Sequence, residues 1–288
     1  YHGGLSEVVL GEILNKYPRD SFFLADKYPG HQLMKSYDPA AIFEEQLEKC
    51  GVEYFDFYLL HNVYERSMAV YTDKEIGILD YFIEQKKKGR IRHLGFSTHA
   101  LTEGLREFLD IAGEHMEFCQ IQMNYLDYTL QDAKGKYDLL TERGIPVVIM
   151  EPVRGGRLVN LPEAGLDEIA KLGEYSPAGY AIRYAASFDN IFMVLSGMSN
   201  MEQMTDNIKS MKDFTPFASE KGQHLKATVD NTDVFSNVVS CACGLGDMDY
   251  APLCALAKER SIPMTLENTN PGNAVAAREH LEAIGASL

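Results

Sequence analysis

Short apolar runs alternate with amphipathic stretches along almost the whole chain. The runs are rich in Val, Ile, Phe and Tyr and are nearly continuously apolar, which is typical of strands buried on both faces of a parallel sheet. Eight runs predict eight strands, and they occupy residues 22–27, 55–61, 91–97, 118–124, 145–151, 191–197, 234–242 and 262–268.

The stretches between these runs predict helices, because apolar residues recur in them at spacings of three and four. Two helices carry start signals, Asp38 before Pro39 and Ser176 before Pro177. One further helix, 5–16, precedes the first strand. The other predicted helices occupy residues 39–50, 73–88, 101–113, 130–143, 176–187, 199–211, 250–260 and 272–285.

Eight strands alternating with eight helices predict an α/β protein with the (β/α)8 TIM-barrel fold, as a single domain over residues 1–288. The alternative, a doubly wound sheet, needs a glycine-rich fingerprint directly after an early strand. The chain has none there, since the glycines of "YHGGLSE" follow no strand. The pattern therefore favours the barrel.

The composition excludes several classes of partner. The 288 residues are 45% hydrophobic and 24% charged, as in ordinary globular proteins. A net charge of −15 argues against binding nucleic acid or anionic membranes, and no apolar run is long enough to span a bilayer. Five cysteines without a framework spacing fit a reducing compartment, so we expect a cytoplasmic protein. The chain opens on Tyr1 rather than Met, and we expect an upstream segment to be missing or cleaved.

Polar residues close one predicted strand after another. A lone histidine at a strand end, such as His61, is more often a core residue with satisfied ring nitrogens than a catalytic group. A succession of polar strand ends reverses that judgement, because the carboxyl ends of barrel strands carry the active site. The residues at these ends are Lys27, His61, Ser97, Gln122, Asn124 and Glu151.

Five segments, in order, resemble motifs of the aldo-keto reductases. "YHGGLSEVVLGEIL" resembles the family's tyrosine segment, and "FFLADKYP" resembles the strand that carries its catalytic lysine. "FEEQLEKCGVEYFDFYLLH" is similar to the signature that ends on the catalytic histidine. "GRIRHLGFSTH" resembles the strand that follows, and "GMSNMEQMTDN" resembles the segment that binds the cofactor phosphates. The resemblance covers residues 1 to about 217.

The resemblance implies hydride transfer from a nicotinamide cofactor to a small aldehyde or ketone. Tyr1 would donate a proton to the carbonyl oxygen, and His61 would polarise and orient the carbonyl. A free tyrosine has a pKa of about 10, so it needs a cation such as Lys27 to stabilise its phenolate. The family's usual aspartate partner for this lysine would precede Tyr1.

The resemblance also implies which residues hold the cofactor. NADPH is expected, with NADH as the alternative, because Gln203 stands where NADP-specific members often carry an arginine. The nicotinamide carboxamide would be held by Ser97, Thr98, Gln122 and Asn124. The pyrophosphate and adenosine end would be held by Pro152, Arg154, Gly155, Gly197, Ser199, Gln203 and Asn207, with help from backbone N–H groups at a helix start.

The tail, residues 222–288, resembles the end of a sugar-phosphate isomerase or epimerase barrel. In that family the last strand ends on a metal-binding glutamate, here Glu267, but one carboxylate does not make a metal site, and no metal is expected. We therefore expect a chimera in which residues 1–221 supply six strands and the tail supplies two that complete the barrel. Glu267 would then lie near Lys27 in place of the missing aspartate, or else be a solvated remnant.

Two further functions stay open at this point. One is a metal-dependent isomerase or epimerase, which rests on the tail alone. The other is a catalytically silent barrel. Binding of a nicotinamide dinucleotide would favour the reductase, and bound metal in stoichiometric amount would favour the isomerase.

Overall fold

Six of the apolar runs form one parallel sheet. The structure, a computed structural model, describes residues 4–32, 38–217, 222–223, 225, 239–241 and 264–266. The strands pair with their neighbours in chain order, all parallel. They are β1 Ala25–Tyr28, β2 Phe55–Val63, β3 Ile91–Thr98, β4 Cys119–Gln122, β5 Val147–Met150 and β6 Ile191–Val194.

Helices follow the strands, as the alternation of patterns predicts. The two start signals are confirmed, because the Asp38 carboxylate accepts from Ala40 N at 2.8 Å and Ser176 Oγ accepts from Gly179 N at 2.9 Å. No helix in the described ranges has the length and apolarity to cross a bilayer. The helices are α1 Leu5–Leu14, α2 Pro39–Cys50, α3 Met68–Tyr71, α4 Ile78–Lys87, α5 Thr102–Ala112, α6 Asp127–Leu130, α7 Ala133–Glu142, α8 Glu163–Ala170, α9 Pro177–Ala186 and α10 Met201–Met211.

Two strands of the tail, β7 Val239–Cys241 and β8 Met264–Leu266, form a separate two-stranded parallel sheet. Where the structure describes the chain, their ladder bonds run only to each other, so the predicted completion of one eight-stranded barrel is not confirmed. Contacts divide the chain into two compact units, Tyr1–Asn160 with Ile169–Lys226 and Leu161–Glu168 with Ala227–Leu288. The apolar runs identify strands, but the choice of pairing partner is a long-range contact that alternation does not encode. Glu267 and the predicted helices 250–260 and 272–285 lie outside the described residues.

Two apolar layers lie on opposite faces of the six-stranded sheet. Along β2, Tyr58 and Leu60 belong to the core that packs against the helices, whereas Leu59 belongs to a smaller cluster with Phe118 and Val148. Successive residues of a strand point to opposite faces, so both faces need apolar residues and the runs read as continuous.

A buried carboxylate ties the segment before β1 to β2 and β3. Asp56 is 1% exposed and accepts from Arg19 Nη2 at 2.7 Å and from Arg92 Nη1 at 2.8 Å. It also accepts from the backbone N–H of Leu24 at 2.9 Å. Both guanidinium groups lie over the ring of Tyr54, at 3.9 and 4.0 Å from its centroid. This side chain on β2 therefore accepts from three donors, two in the segment before β1 and one on β3.

We expect Asp56→Ala to lower the free energy of unfolding by about 3 kcal/mol, because it leaves a buried N–H and two cations without their acceptor. Urea denaturation measures this loss. Glu44→Ala is the matched control, since Glu44 is 57% exposed and pairs with Arg90 at the surface. That control should cost about 1 kcal/mol or less, and equal losses in the two variants would contradict the prediction.

A second carboxylate, Asp26 on β1, is half-buried and only partly paired. Its Oδ1 accepts from the backbone N–H of Lys27 at 2.8 Å, whereas its Oδ2 has no hydrogen-bond partner among the residues described. Burial raises the pKa of Asp26 to about 7, and the nearby Glu7 carboxylate adds to the rise. The folded protein therefore holds a proton on Asp26 that the unfolded chain releases.

This difference predicts a fall in stability with rising pH. The folded pKa of about 7 exceeds the ordinary value of 3.8, so the contribution of Asp26 to stability is fully present below pH 3.8 and is lost as the pH rises through 7. Asp26→Asn removes the titrating group. Between about pH 4.5 and about pH 8 we therefore expect the free energy of unfolding to fall less in this variant than in the unchanged protein. Urea denaturation at both pH values measures the difference. The exposed Asp20, changed to Asn, is the control, and an Asp26→Asn profile identical to that of Asp20→Asn would refute the prediction.

Candidate active site

Lys27 and His61 lie at the carboxyl ends of the neighbouring strands β1 and β2. The register pairs Lys27 with Leu59, two residues before His61. Burial lowers the pKa of His61 to about 3, and the charges of His31 and Lys27 act in the same direction. Burial also lowers the pKa of Lys27, which the neighbouring Asp26 carboxylate opposes. The structure thus brings together two of the three predicted catalytic residues and keeps the His61 ring neutral, while the third, Tyr1, lies outside the described residues.

A buried tyrosine that sequence reasoning missed connects these two strand ends. Tyr71 Oη lies 2.6 Å from the backbone oxygen of His61 and 3.1 Å from that of Tyr28, so its hydroxyl is shared between two carbonyls. A Cβ on Gly30 would lie 2.7 Å from the Tyr71 ring, so the close approach requires glycine there. Tyr71 belongs to the four-residue helix α3, which is too short to show a helical period.

The end of β2 is also irregular, which sets the direction of His61. The β2–β3 register shifts between Leu60 and Val63, and Asn62 has a φ of +52°, in the left-handed region. The Asn62 backbone N–H donates to Ser97 Oγ at 2.8 Å, which holds the irregular turn against β3. Such bulges redirect side chains and occur next to active sites.

The two hydroxyls at the end of β3 differ in what they can still bind. Thr98 Oγ1 donates to the backbone oxygen of Val63 at 2.6 Å and accepts from Ala100 N at 3.0 Å. Its proton is therefore used inside the protein. Ser97 Oγ accepts from Asn62 N and keeps its own proton. Of the two hydroxyls among the four predicted carboxamide ligands, that of Ser97 can donate to a cofactor, whereas that of Thr98 stabilises the strand end.

A buried carboxylate, Asp127, organises the end of β4. Its Oδ2 accepts from Gln122 Nε2 at 2.8 Å and from Asn124 Nδ2 at 2.6 Å. Its Oδ1 accepts from Arg154 Nη1 at 2.5 Å. Sequence reasoning missed Asp127, and the signal that it offered was an acidic residue three positions after Asn124, the last residue of the predicted strand.

These contacts separate the roles of the two predicted amide ligands. Asn124 is saturated, because its Nδ2 also donates to Glu151 O at 2.9 Å and its Oδ1 accepts from the N–H groups of Leu126 and Asp127. It therefore shapes the loop and has nothing left for a cofactor. Gln122 uses only its NH2 group on Asp127, because a carboxylate accepts and does not donate. Its Oε1 remains to accept from a ligand N–H.

The loop after β5 has a strained backbone that turns Arg154 back into the protein. Glu151 and Arg154 have φ values of +57° and +49°, and Gly155 and Gly156 have +59° and +88°. Left-handed residues other than glycine are uncommon and cluster at functional sites. The guanidinium of Arg154, a predicted pyrophosphate ligand, pairs with Asp127 and is 19% exposed. Its charge is thereby largely used in holding the loop.

The segment before α10 forms a capped helix start. Asn200 Oδ1 accepts from Gln203 N at 2.9 Å, and Gln203 Oε1 accepts from Ser199 N at 2.7 Å, in the manner of a capping box. Asn207 Nδ2 donates to Ser196 Oγ at 2.8 Å. The backbone N–H groups of Ser199 and Gln203 are therefore bonded within the segment itself.

A cavity of about 1160 Å³ lies between this segment and the loop after β5. Six of the predicted cofactor residues line it, namely Pro152, Gly155, Gly197, Ser199, Gln203 and Asn207. A Cβ built on Gly197 would meet no atom within 4 Å, so the wall there is open. The volume is ample for half of a dinucleotide, and the two predicted phosphate segments do face one cavity.

Known proteins of one family match this chain. The sequence profile of the Aldo/keto reductase family matches residues 1–229. An NADH-specific methylglyoxal reductase of Escherichia coli (strain K12) is 24% identical over 255 residues, 73% of this chain and 76% of that protein. An NADPH-dependent alpha-keto amide reductase of Saccharomyces cerevisiae is 30% identical over 146 residues, 49% of this chain and 43% of that protein.

A solved structure agrees with these relatives. An aldo-keto reductase from Bacillus halodurans, in its holo form, is 26% identical, covers 79% of each chain and superposes with a TM-score of 0.61. The isomerase-like resemblance of the tail is not confirmed, since the family match ends at residue 229. The match covers most of the chain, which therefore belongs to the aldo/keto reductase family, a family of oxidoreductases that use NAD(P)H.

Proposed function

We propose that this chain reduces a small carbonyl compound with NADH, using His61 and Lys27 at the ends of β1 and β2. The observation that carries the proposal is the parallel pairing of β1 with β2, which brings Lys27 and His61 to the same carboxyl edge of the sheet. The substrates for which two relatives are named also support a substrate class. Methylglyoxal and alpha-keto amides both carry a second oxygen next to the carbonyl carbon that is reduced.

The reduced nicotinamide, when bound, supplies the hydride to the carbonyl carbon. His61, which is neutral because burial lowers its pKa, donates an N–H to the carbonyl oxygen without giving up its proton. In this proposal Tyr1 provides the proton to that oxygen. Lys27 is the nearby cation that makes a phenolate less costly, which lowers the pKa of a neighbouring tyrosine from its usual value of about 10.

Two side chains of the sheet fit the carboxamide of the nicotinamide. Gln122 Oε1 is oriented to accept because its NH2 group faces Asp127, and Ser97 Oγ keeps a proton to donate. A carboxamide offers one NH2 group and one carbonyl, so an acceptor and a donor together satisfy it. Gln122 and Ser97 together would fix which face of the nicotinamide ring turns toward His61.

The charge of the large cavity supports NADH rather than NADPH. Its lining carries three carboxylates, those of Glu151, Glu202 and Asp206. Among the described residues, Lys209 is the one lysine that lines it. An additional 2′-phosphate would meet net negative charge there. Gln203, at the position where NADP-specific members often carry an arginine, offers no compensating cation.

The role of Lys27 is tested with Lys27→Met. We expect kcat for methylglyoxal reduction to fall by about 10²-fold or more, because the proton donor loses its cation. The dissociation constant for NADH, measured by calorimetry, should stay within about threefold. Lys74→Met is the control, since this lysine is exposed.

Loss of NADH binding together with activity in Lys27→Met would show that Lys27 acts on the fold. If the unchanged protein binds NADH and reduces no carbonyl, the chain is a silent barrel and the proposal fails.

The cofactor preference is tested at Gln203. We expect the unchanged protein to bind NADH more tightly than NADPH, and Gln203→Arg to shift that ratio toward NADPH about tenfold, equivalent to about 1.4 kcal/mol. Calorimetry with both dinucleotides measures the ratio. Gln203→Met is the control, because it loses the hydrogen bond to Ser199 N just as Gln203→Arg does but adds no charge. It therefore separates the effect of the added charge from the effect of the lost cap. A preference for NADPH in the unchanged protein would overturn this part of the proposal.

A further inference from the structure

His31 is a second imidazole at the same edge of the sheet, and the reaction proposed above leaves it unused. It lies in a one-turn 3-10 helix, Gly30–Gln32, which begins two residues after the end of β1. Its ring centroid is 4.3 Å from that of His61, with an angle of 64° between the planes. The close approach of Gly30 to Tyr71 holds this turn against α3, so the two rings are positioned by the same tyrosine.

The two nitrogens of His31 have different surroundings. Nδ1 is buried and has no hydrogen-bond partner among the described residues, whereas the side chain as a whole is only half-buried. Burial lowers the pKa of His31, which favours the neutral ring. A neutral imidazole carries one proton, and with no acceptor near Nδ1 that proton is better placed on Nε2. His31 therefore presents an N–H donor beside that of His61.

We propose that His31 determines specificity by donating to a second, uncharged oxygen on the carbon next to the reacting carbonyl. This inference rests on the proposed function and assigns its substrate class, the neutral 1,2-dicarbonyl compounds. Two donors on rings 4.3 Å apart suit two oxygens on adjacent carbons. A site built to hydrogen-bond a substrate oxygen rejects the analogue that lacks it, because the donor is then left unpaired.

The same surroundings argue against an anionic second group. A neutral His31 offers no cation to a carboxylate, and the net charge of −15 repels anions from the protein as a whole. Lys27 is the cation whose charge acts on His61, and the proposed mechanism already assigns it to the phenolate of the proton donor. A 2-oxo acid should therefore be a poorer substrate than a 2-oxo aldehyde of the same size.

Three compounds with three carbons separate these possibilities: methylglyoxal, propanal and pyruvate. We expect kcat/KM with NADH to be highest for methylglyoxal. In His31→Phe the ratio of methylglyoxal to propanal should fall about tenfold, with kcat/KM for propanal and the affinity for NADH little changed. His31→Gln keeps an N–H donor and should recover part of the ratio. His99→Phe is the matched control, because His99 is the other imidazole whose charge acts on His61.

The outcomes distinguish the inference from the function on which it rests. An unchanged ratio in His31→Phe, an equal fall in His99→Phe, or a preference for pyruvate would each overturn the inference and leave carbonyl reduction intact. Reduction of none of the three compounds would overturn the proposed function. Calorimetry with 2-oxopropanamide and propanamide then decides the inference without turnover. Tighter binding of 2-oxopropanamide that is lost in His31→Phe supports it, and equal binding of the two amides refutes it.

Discussion

A buried carboxylate has to be paired, and Asp127 meets that requirement with donors from three segments. Gln122 lies at the end of β4, Asn124 in the loop that follows, and Arg154 in the loop after β5. Because all three bond to one carboxylate, the end of β4 and the β5 loop are held in a fixed relation. The orientation of the Gln122 amide and the left-handed turn at Arg154 both follow from this single constraint. Removing one partner of such a group leaves a buried charge without compensation.

The other half of the site depends on desolvation rather than on pairing. Lys27 and His61 both have pKa values lowered by burial, and each has a backbone position fixed by the sheet. The ring of His61 stays neutral for the same reason that Lys27 is less readily charged than a surface lysine. Tyr71 adds the positional part, since its hydroxyl bridges the ends of β1 and β2. The two polar side chains at this edge are thus positioned in part by a tyrosine whose hydroxyl donates to backbone oxygens.

Local signals predicted the elements well, and long-range contacts account for the rest. Helix α2 begins and ends at the predicted residues because Asp38 and Pro39 mark its start and Gly51, with a φ of +64°, marks its end. Helices α3 and α6 have four residues each and no readable period, yet they carry Tyr71 and Asp127. The strand-end rule located Lys27, His61 and Gln122. It could not tell that Thr98 and Asn124 are saturated by internal hydrogen bonds, because their partners lie elsewhere in the sequence.

The way charges are used explains how an acidic chain can hold a dinucleotide. Arg154 lies in the loop after β5, but its positive charge is balanced by the Asp127 carboxylate. The backbone N–H groups of Arg154, Gly156 and Arg157 also donate within the loop. In the proposed complex the two charges of the pyrophosphate are therefore met by Lys209 on the cavity wall and by the backbone N–H groups there that have no internal acceptor. A third phosphate beside Glu202 and Asp206 would need a cation of its own, and Gln203 is already used as a helix cap. The same side chain thus stabilises the start of α10 and adds no positive charge to the cavity that it lines.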